Sequence, residues 1–263
     1  MTADQQTFGF PPGYFVIRSV ASNRLLDVAN DAMEDGEEII LWPEKDSSLV
    51  ESRRLPEANN QVFFIDTSGA LCSRSAGHAV DIEGNKLVLR HRRPMSFPFP
   101  NAYSHPLPKF SYDNQTGEIT VHFEYDPSFP ENAATAWQRK TYVLASIPLR
   151  KPRTMIDDAS DFFVSNIGTP LTSLFSGKPT EPARSTLDEV FNSDIDLKED
   201  EVLEEERGEE TEVDDSSEQR RNVRMLAIVD KLADDKNLNP NARNRRRWQI
   251  SSLRTSNART GAI

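Results

Sequence analysis

The segment Asn23-Arg-Leu-Leu-Asp-Val28 returns as Gly77-His-Ala-Val-Asp-Ile82, and each copy is followed by the same kind of sequence. A Gly-containing turn comes first, then an apolar run, Ile39-Ile-Leu-Trp42 in one unit and Leu87-Val-Leu-Arg90 in the other. Both units close on a run carrying an aromatic, Asn60-Gln-Val-Phe63-Phe and Pro108-Lys-Phe110-Ser-Tyr. A chain built this way stacks copies of one supersecondary unit, which bury together what none buries alone. A third, less regular unit opens at Glu118-Ile-Thr-Val-His-Phe123.

The runs themselves read as strands. Tyr14–Arg18, Leu25–Val28, Ile39–Trp42, Gln61–Asp66, Ala70–Ser73, Ala79–Ile82, Leu87–Arg90, Lys109–Tyr112, Glu118–Phe123 and Thr141–Ser146 are short, rich in β-branched and aromatic residues, and bounded by turn formers. Asp35-Gly36, Ser68-Gly69, Gly84-Asn85 and Thr116-Gly117 are the clearest turns. No convincing helical period lies between them, so residues 14–150 are expected to be all-β. Three units of about four strands suit a closed threefold barrel, because closure removes sheet edges.

Composition sets the other boundary. Only 37 % of the 263 residues are hydrophobic, and the formal charge is −11. All the Tyr precede Pro152, and the chain turns polar after it. Residues 194–218 hold fourteen acids against two bases, and residues 219–263 hold eleven bases against three acids. Like-charge blocks resist condensation around a core, so residues 151–263 are expected to be a largely disordered tail, and residues 1–13 are expected to be a flexible N-terminus. Within the tail, Ser216 to Ala233 offers a candidate helix: Met225, Ile228, Val229 and Leu232 fall on one stripe. That stripe is a candidate docking site for a protein partner.

Leu26-Asp-Val28, Gly36, Ile39-Ile-Leu-Trp-Pro43 and Asn60-Gln-Val-Phe63 together resemble one repeat of the ricin B-type lectins. The resemblance covers residues 14–112, and extends to about 150 by architecture alone. It implies a β-trefoil that binds a glycan in one shallow pocket per repeat. Carried onto this sequence, it implies Asp27 as acceptor of sugar hydroxyls and Trp42 as stacking platform. Asn60 would supply a hydroxyl-binding amide, and Gln61 would orient the aspartate. The polar residue usual before Leu-Trp is Ile40 here, which removes a hydrogen bond and points to weak binding. The family's repeat cysteines are replaced at Leu25, Glu44 and Ala79, so this is a disulfide-free variant.

The second repeat keeps Asp81 but sets Arg90 where the first has Trp42. A guanidinium is a poor apolar face, and suits a charged ligand or an ion pair with Asp81. No aspartate is identifiable in the third repeat. The proline-rich loop Pro94–Pro108 displays Phe97, Phe99 and Tyr103, either covering the barrel mouth or forming a recognition surface.

Catalysis finds no footing in the residues. His78, His91, His105 and His122 have no metal-ligand spacing, and there is no phosphate loop or nucleophile elbow. Cys72 lies in an apolar strand and reads as a small buried hydrophobe. The expectation is a non-enzyme without cofactor or metal. The acidic balance argues against nucleic acid as partner of the whole chain, leaving Arg243-Asn-Arg-Arg-Arg-Trp248 as the segment able to attract it. No apolar run approaches the length of a membrane helix. A leaderless N-terminus and a single cysteine point to a cytoplasmic protein.

Overall fold

The computed structural model describes residues 7–130, 135–150, 213–214 and 220–255. The chain falls into two compact units: Met1–Pro148 with Asp215–Ile263, and Leu149–Asp214. In the second unit the described residues are two short strands, Leu149–Arg150 (β11) and Val213–Asp214 (β12), paired antiparallel.

The first unit is a twelve-stranded antiparallel β structure. Its strands are β1 (Phe15–Ser19), β2 (Leu25–Val28), β3 (Ile39–Trp42), β4 (Phe63–Ile65), β5 (Leu71–Ser73) and β6 (Ala79–Glu83). They continue with β7 (Lys86–Arg90), β8 (Lys109–Tyr112), β9 (Ile119–His122), β10 (Thr141–Ile147), β13 (Asn222–Ile228) and β14 (Trp248–Ser252). Every one of the ten expected strands is present, with ends moved by up to two residues.

The threefold relation is written in the backbone hydrogen bonds. The Leu41 amide donates to the Arg221 carbonyl, Leu89 to Glu37 and Met225 to Asn85, each at 2.8 Å. In every case one hairpin's second strand reaches the residue four places upstream of its counterpart in a neighbouring hairpin. Leu41, Leu89 and Met225 are therefore equivalent, and so are their cross-strand partners Leu26, Val80 and Leu144. All six are buried in one core, together with the closing aromatics Phe63, Phe110 and Trp248. The fold is a β-trefoil.

This equivalence corrects the expected domain boundary. The third repeat does not end near residue 150. Its hairpin is β10–β13, paired from Thr141↔Ile228 to Ile147↔Asn222, with residues 148–221 inserted in the sequence between the two strands. The last strand, β14, pairs with β1 from Phe15↔Ser252 to Ser19↔Trp248. Residues 222–228 are thus a strand and not the candidate helix 216–233. A short apolar run fits either period, and pairing with β10 decides it. Val223 and Met225 point into the core, whereas Val229 and Leu232 are exposed. Among the described residues, α-helix is confined to Lys231–Asn237 (α1), capped by Asp230, and Pro240–Arg245 (α2), capped by Asn239.

The basic segment 243–248 is not a solvated tail either. Arg245 and Arg246 are buried, Arg246 pairs with Asp234, and the Trp248 indole donates to the Leu144 carbonyl at 3.1 Å. At the other end, residues 7–13 are ordered against the barrel. Phe10 is buried and stacks on Phe15, and Gly9 sits so close to the Tyr112 carbonyl that a Cβ would overlap it. Residues 1–6, 131–134, 151–212, 215–219 and 256–263, including most of the acidic block 194–218, lie outside the described residues. Among those described, no helix is long and apolar enough to cross a membrane.

Candidate functional site

Strand pleating decides which side chains face away from the central core. Leu26 and Val28 on β2, with Ile39 and Leu41 on β3, fill the core, so the alternating residues face outward. Those are Leu25 and Asp27 opposite Trp42 and Ile40. Asp27 pairs with Ile40 and Trp42 with Leu25, which makes Asp27 and Trp42 diagonal neighbours on one face, about 7–8 Å apart in such a ladder. Trp42 is 40 % exposed while Asp27 is only 2 % exposed.

Asp27 sits in a polar network. Asp27 accepts hydrogen bonds from Asn60 Nδ2 at 2.6 Å and from Gln61 Nε2 at 2.8 Å, and Lys45 Nζ lies 3.4 Å away. Gln61 also donates to the Pro43 carbonyl and accepts from the Lys45 amide, so it ties both strands of the hollow together. Asn60 spends its amide protons on Asp27, Asp31 and the Val28 carbonyl, and its own Oδ1 is buried without a partner. Burial pushes the Asp27 carboxyl above its ordinary value, and Lys45 and Gln61 pull part of that back.

Two residues that the sequence pattern did not single out complete this network. Lys45 bridges Asp27 and Asp31, at 3.0 Å from the latter. Asp31 is 59 % exposed and reaches the site because Asn30 and Asp31 both adopt left-handed backbone, a conformation that Asn and Asp tolerate. The hint in the sequence was slight: an Asn-Asp pair just beyond Leu-Asp-Val, and a lysine three residues after the tryptophan.

The second repeat has a different chemistry. Asp81 is fully buried, with one oxygen taken by the Ile82 amide and the other shared by Arg90 Nε and His105 Nε2, all at 2.8 Å. Arg90 also reaches Asp35 and Glu83. The ion pair is thus the form that Asp81 and Arg90 take. His105 Nδ1 faces the Asn101 carbonyl at 3.0 Å, so both ring nitrogens face acceptors, an arrangement that favours the imidazolium. In the third repeat the register puts Ala145 where Asp27 and Asp81 stand, and Leu226 where Trp42 and Arg90 stand. No carboxylate is available there.

This buried pair has a pH signature. Burial works against both charges, yet hydrogen bonding to His105 and Arg90 holds the Asp81 carboxyl below its ordinary range, and Asp81 raises the His105 imidazolium. The His105 contribution is therefore complete below its unfolded value of about 6.5 and lost as pH climbs through the raised folded value. The Asp81 contribution is present above about 3.9 and lost as pH falls through the depressed folded value. Thermal midpoints should accordingly fall on the alkaline side in the native chain and stay flatter in His105→Gln, which loses about 1.5–3 kcal/mol at neutral pH. Parallel pH profiles for the two proteins would contradict the assignment.

Cys72 is buried, and desolvation pushes its thiol up to about 12, which removes the thiolate a nucleophile needs.

Solved structures resemble this chain at low identity. Ricin B-like lectins are among them. The C-terminal domain mutant of an earthworm lectin, solved with 6'-sialyllactose, is 21 % identical over 52 % of this chain and 78 % of its own, with a TM-score of 0.33. The Macrolepiota procera ricin B-like lectin, solved with lactose, is 15 % identical over 51 % of this chain and 73 % of its own, at 0.28. The mdaA-1 domain covers 96 % of this chain and 97 % of its own at 14 % identity and 0.42. No protein-family model and no curated protein matches the sequence.

Proposed function

We propose that the protein is a non-catalytic carbohydrate-binding module that takes a neutral saccharide in the hollow of its first repeat. The observation that carries this reading is the 40 % exposed Trp42 indole on the same hairpin face as Asp27, whose carboxylate is held in a network with Lys45, Asp31 and Asn60. An aromatic face binds the apolar side of a sugar ring, and mixed donors and acceptors bind its hydroxyls. Asp31 is exposed and Lys45 is partly accessible, so they make the direct contacts. Asp27 lies beneath them with capacity left on Oδ1, and Gln61 and Asn60 hold it in place. Ile40 is buried and adds no hydrogen bond, which sets the affinity in the range of about millimolar to tens of micromolar, or about −4 to −6 kcal/mol.

A glycan array probed with the full chain tests this. Trp42→Ala should weaken the response at least about tenfold, equivalent to about 1.4 kcal/mol, and leave the melting midpoint nearly unmoved. Binding that survives the substitution, or no response to any glycan, would reject the reading. A protein-interaction role for residues 216–233 has less support, since Met225 and Ile228 are committed to the barrel.

A further inference from the structure

Next to Arg90 the second repeat has a cavity of about 300 Å³, lined by Ser68, Arg92, Arg93, Tyr103 and His105 among others. That volume lies at the lower end of small-molecule pockets and suits one ring rather than a chain of them. No carboxylate lines it. Asp81 is sealed behind Arg90, and both nitrogens of His105 are already engaged. The charged groups of the wall are therefore the guanidiniums of Arg90, Arg92 and Arg93, which donate and never accept, beside the hydroxyls of Ser68 and Tyr103. A neutral sugar hydroxyl uses both roles, whereas a carboxylate or sulfate only accepts and matches the guanidinium fork.

The three arginines differ in freedom. Arg90 is 6 % exposed and tied to Asp81, Asp35 and Glu83, so it serves as a fixed wall. Arg93 pairs with Asp35 and lies over the Tyr103 ring, 4.7 Å from its centroid, which fixes a cation beside a half-exposed aromatic. Arg92 is 80 % exposed, and its ion pair with Asp66 at 3.2 Å is a solvent-screened contact worth about 0–1 kcal/mol. Its fork can turn to an incoming anion at small cost. The loop that carries Tyr103 is held by Asn101, which donates to the Ser96 and Pro98 carbonyls and accepts from the Tyr103 and Ser104 amides.

We propose that this pocket binds a saccharide bearing a carboxylate or a sulfate ester, with Arg92 and Arg93 gripping the anion and Tyr103 beside the ring. The inference rests on the carbohydrate-binding reading and adds to it a second, charge-selective subsite.

The test is a titration of the isotope-labelled full chain, followed by NMR, with glucuronate, glucose 6-sulfate, a panel of neutral hexoses and inorganic sulfate. The Arg92, Arg93 and Tyr103 amides are expected to shift with the two anionic sugars, at least about tenfold more tightly than with glucose, and less so as salt rises. Arg92→Gln, at an exposed position, should weaken that binding about fivefold or more without moving the melting midpoint. Equal response to glucose, equal response to inorganic sulfate, or no response would each overturn the proposal. The Trp42 indole proton reports on the first hollow in the same spectra, under the neutral hexoses. A silent indole with moving Arg92 and Arg93 amides rejects the first hollow alone, and the reverse pattern rejects this subsite alone.

Discussion

A chain ended at residue 150 is expected to fail to fold. It lacks β13 and β14, and with them Val223, Met225, Ile228, Trp248 and Leu253, all buried in the full chain. At about 1.5–3 kcal/mol for each buried apolar side chain, the loss is roughly 8–15 kcal/mol, as large as the whole stability of an ordinary domain. The cut also strips β1 of its partner β14 and β10 of its partner β13, and leaves unpaired edges that favour aggregation. The complementary change leaves the barrel whole. The register makes Ile147–Asn222 the counterpart of Glu83–Lys86, which is closed by Gly84 and Asn85 with Gly84 at φ +66°. Replacing residues 148–220 by a single glycine, so that Ile147 is followed by Gly, Arg221 and Asn222, should therefore give a cooperatively unfolding trefoil. Urea titration with near-ultraviolet circular dichroism separates the cases. A sharp transition from residues 1–150, or none from the glycine-joined chain, would refute the assignment of the third repeat.

The legible and illegible parts of the fold divide for a physical reason. The first two repeats were readable because each strand is flanked by its own turn residues and the Leu-Asp-Val signature sits in the hairpin. The third repeat carries Ala145 in place of the aspartate, and its two hairpin strands are separated by a long acidic stretch. Charge then disguised the rest. Asn222–Ile228 contains Arg224, and Trp248 follows a run of arginines, so both strands looked like tail. Their arginines are accommodated by acids distant in sequence, Glu38 for Arg224 and Asp234 for Arg246, which composition does not reveal. The hollow was half legible in the same sense. Asp27, Trp42, Asn60 and Gln61 stand in the signature itself, while Asp31 and Lys45 join through left-handed backbone and a cross-loop ion pair. Phe10 escaped notice because the Gly and Pro residues around it read as turn and not as a buried run.

Removing the Arg90 guanidinium is expected to be the most costly single change in the second repeat. Arg90→Met keeps the aliphatic stem and deletes the charge, which leaves Asp81 fully buried with His105 as its remaining cation. Breaking one side of a buried pair costs about 3–5 kcal/mol, because the surviving charge has lost its compensation and cannot regain water. Asp35 and Glu83 lose a partner too, but both reach solvent and recover hydration. Adding Asp81→Asn should restore a large part of the loss, since a neutral amide no longer needs the cation and its oxygen can still accept the Ile82 amide. Denaturant midpoints of the two single variants and the double variant form the cycle that measures this coupling. If the pair instead contributed little, Arg90→Met alone would cost under about 1 kcal/mol, as for an exposed ion pair. The cationic pocket would then lack its rigid wall, and charge selectivity in the second repeat would have no structural basis.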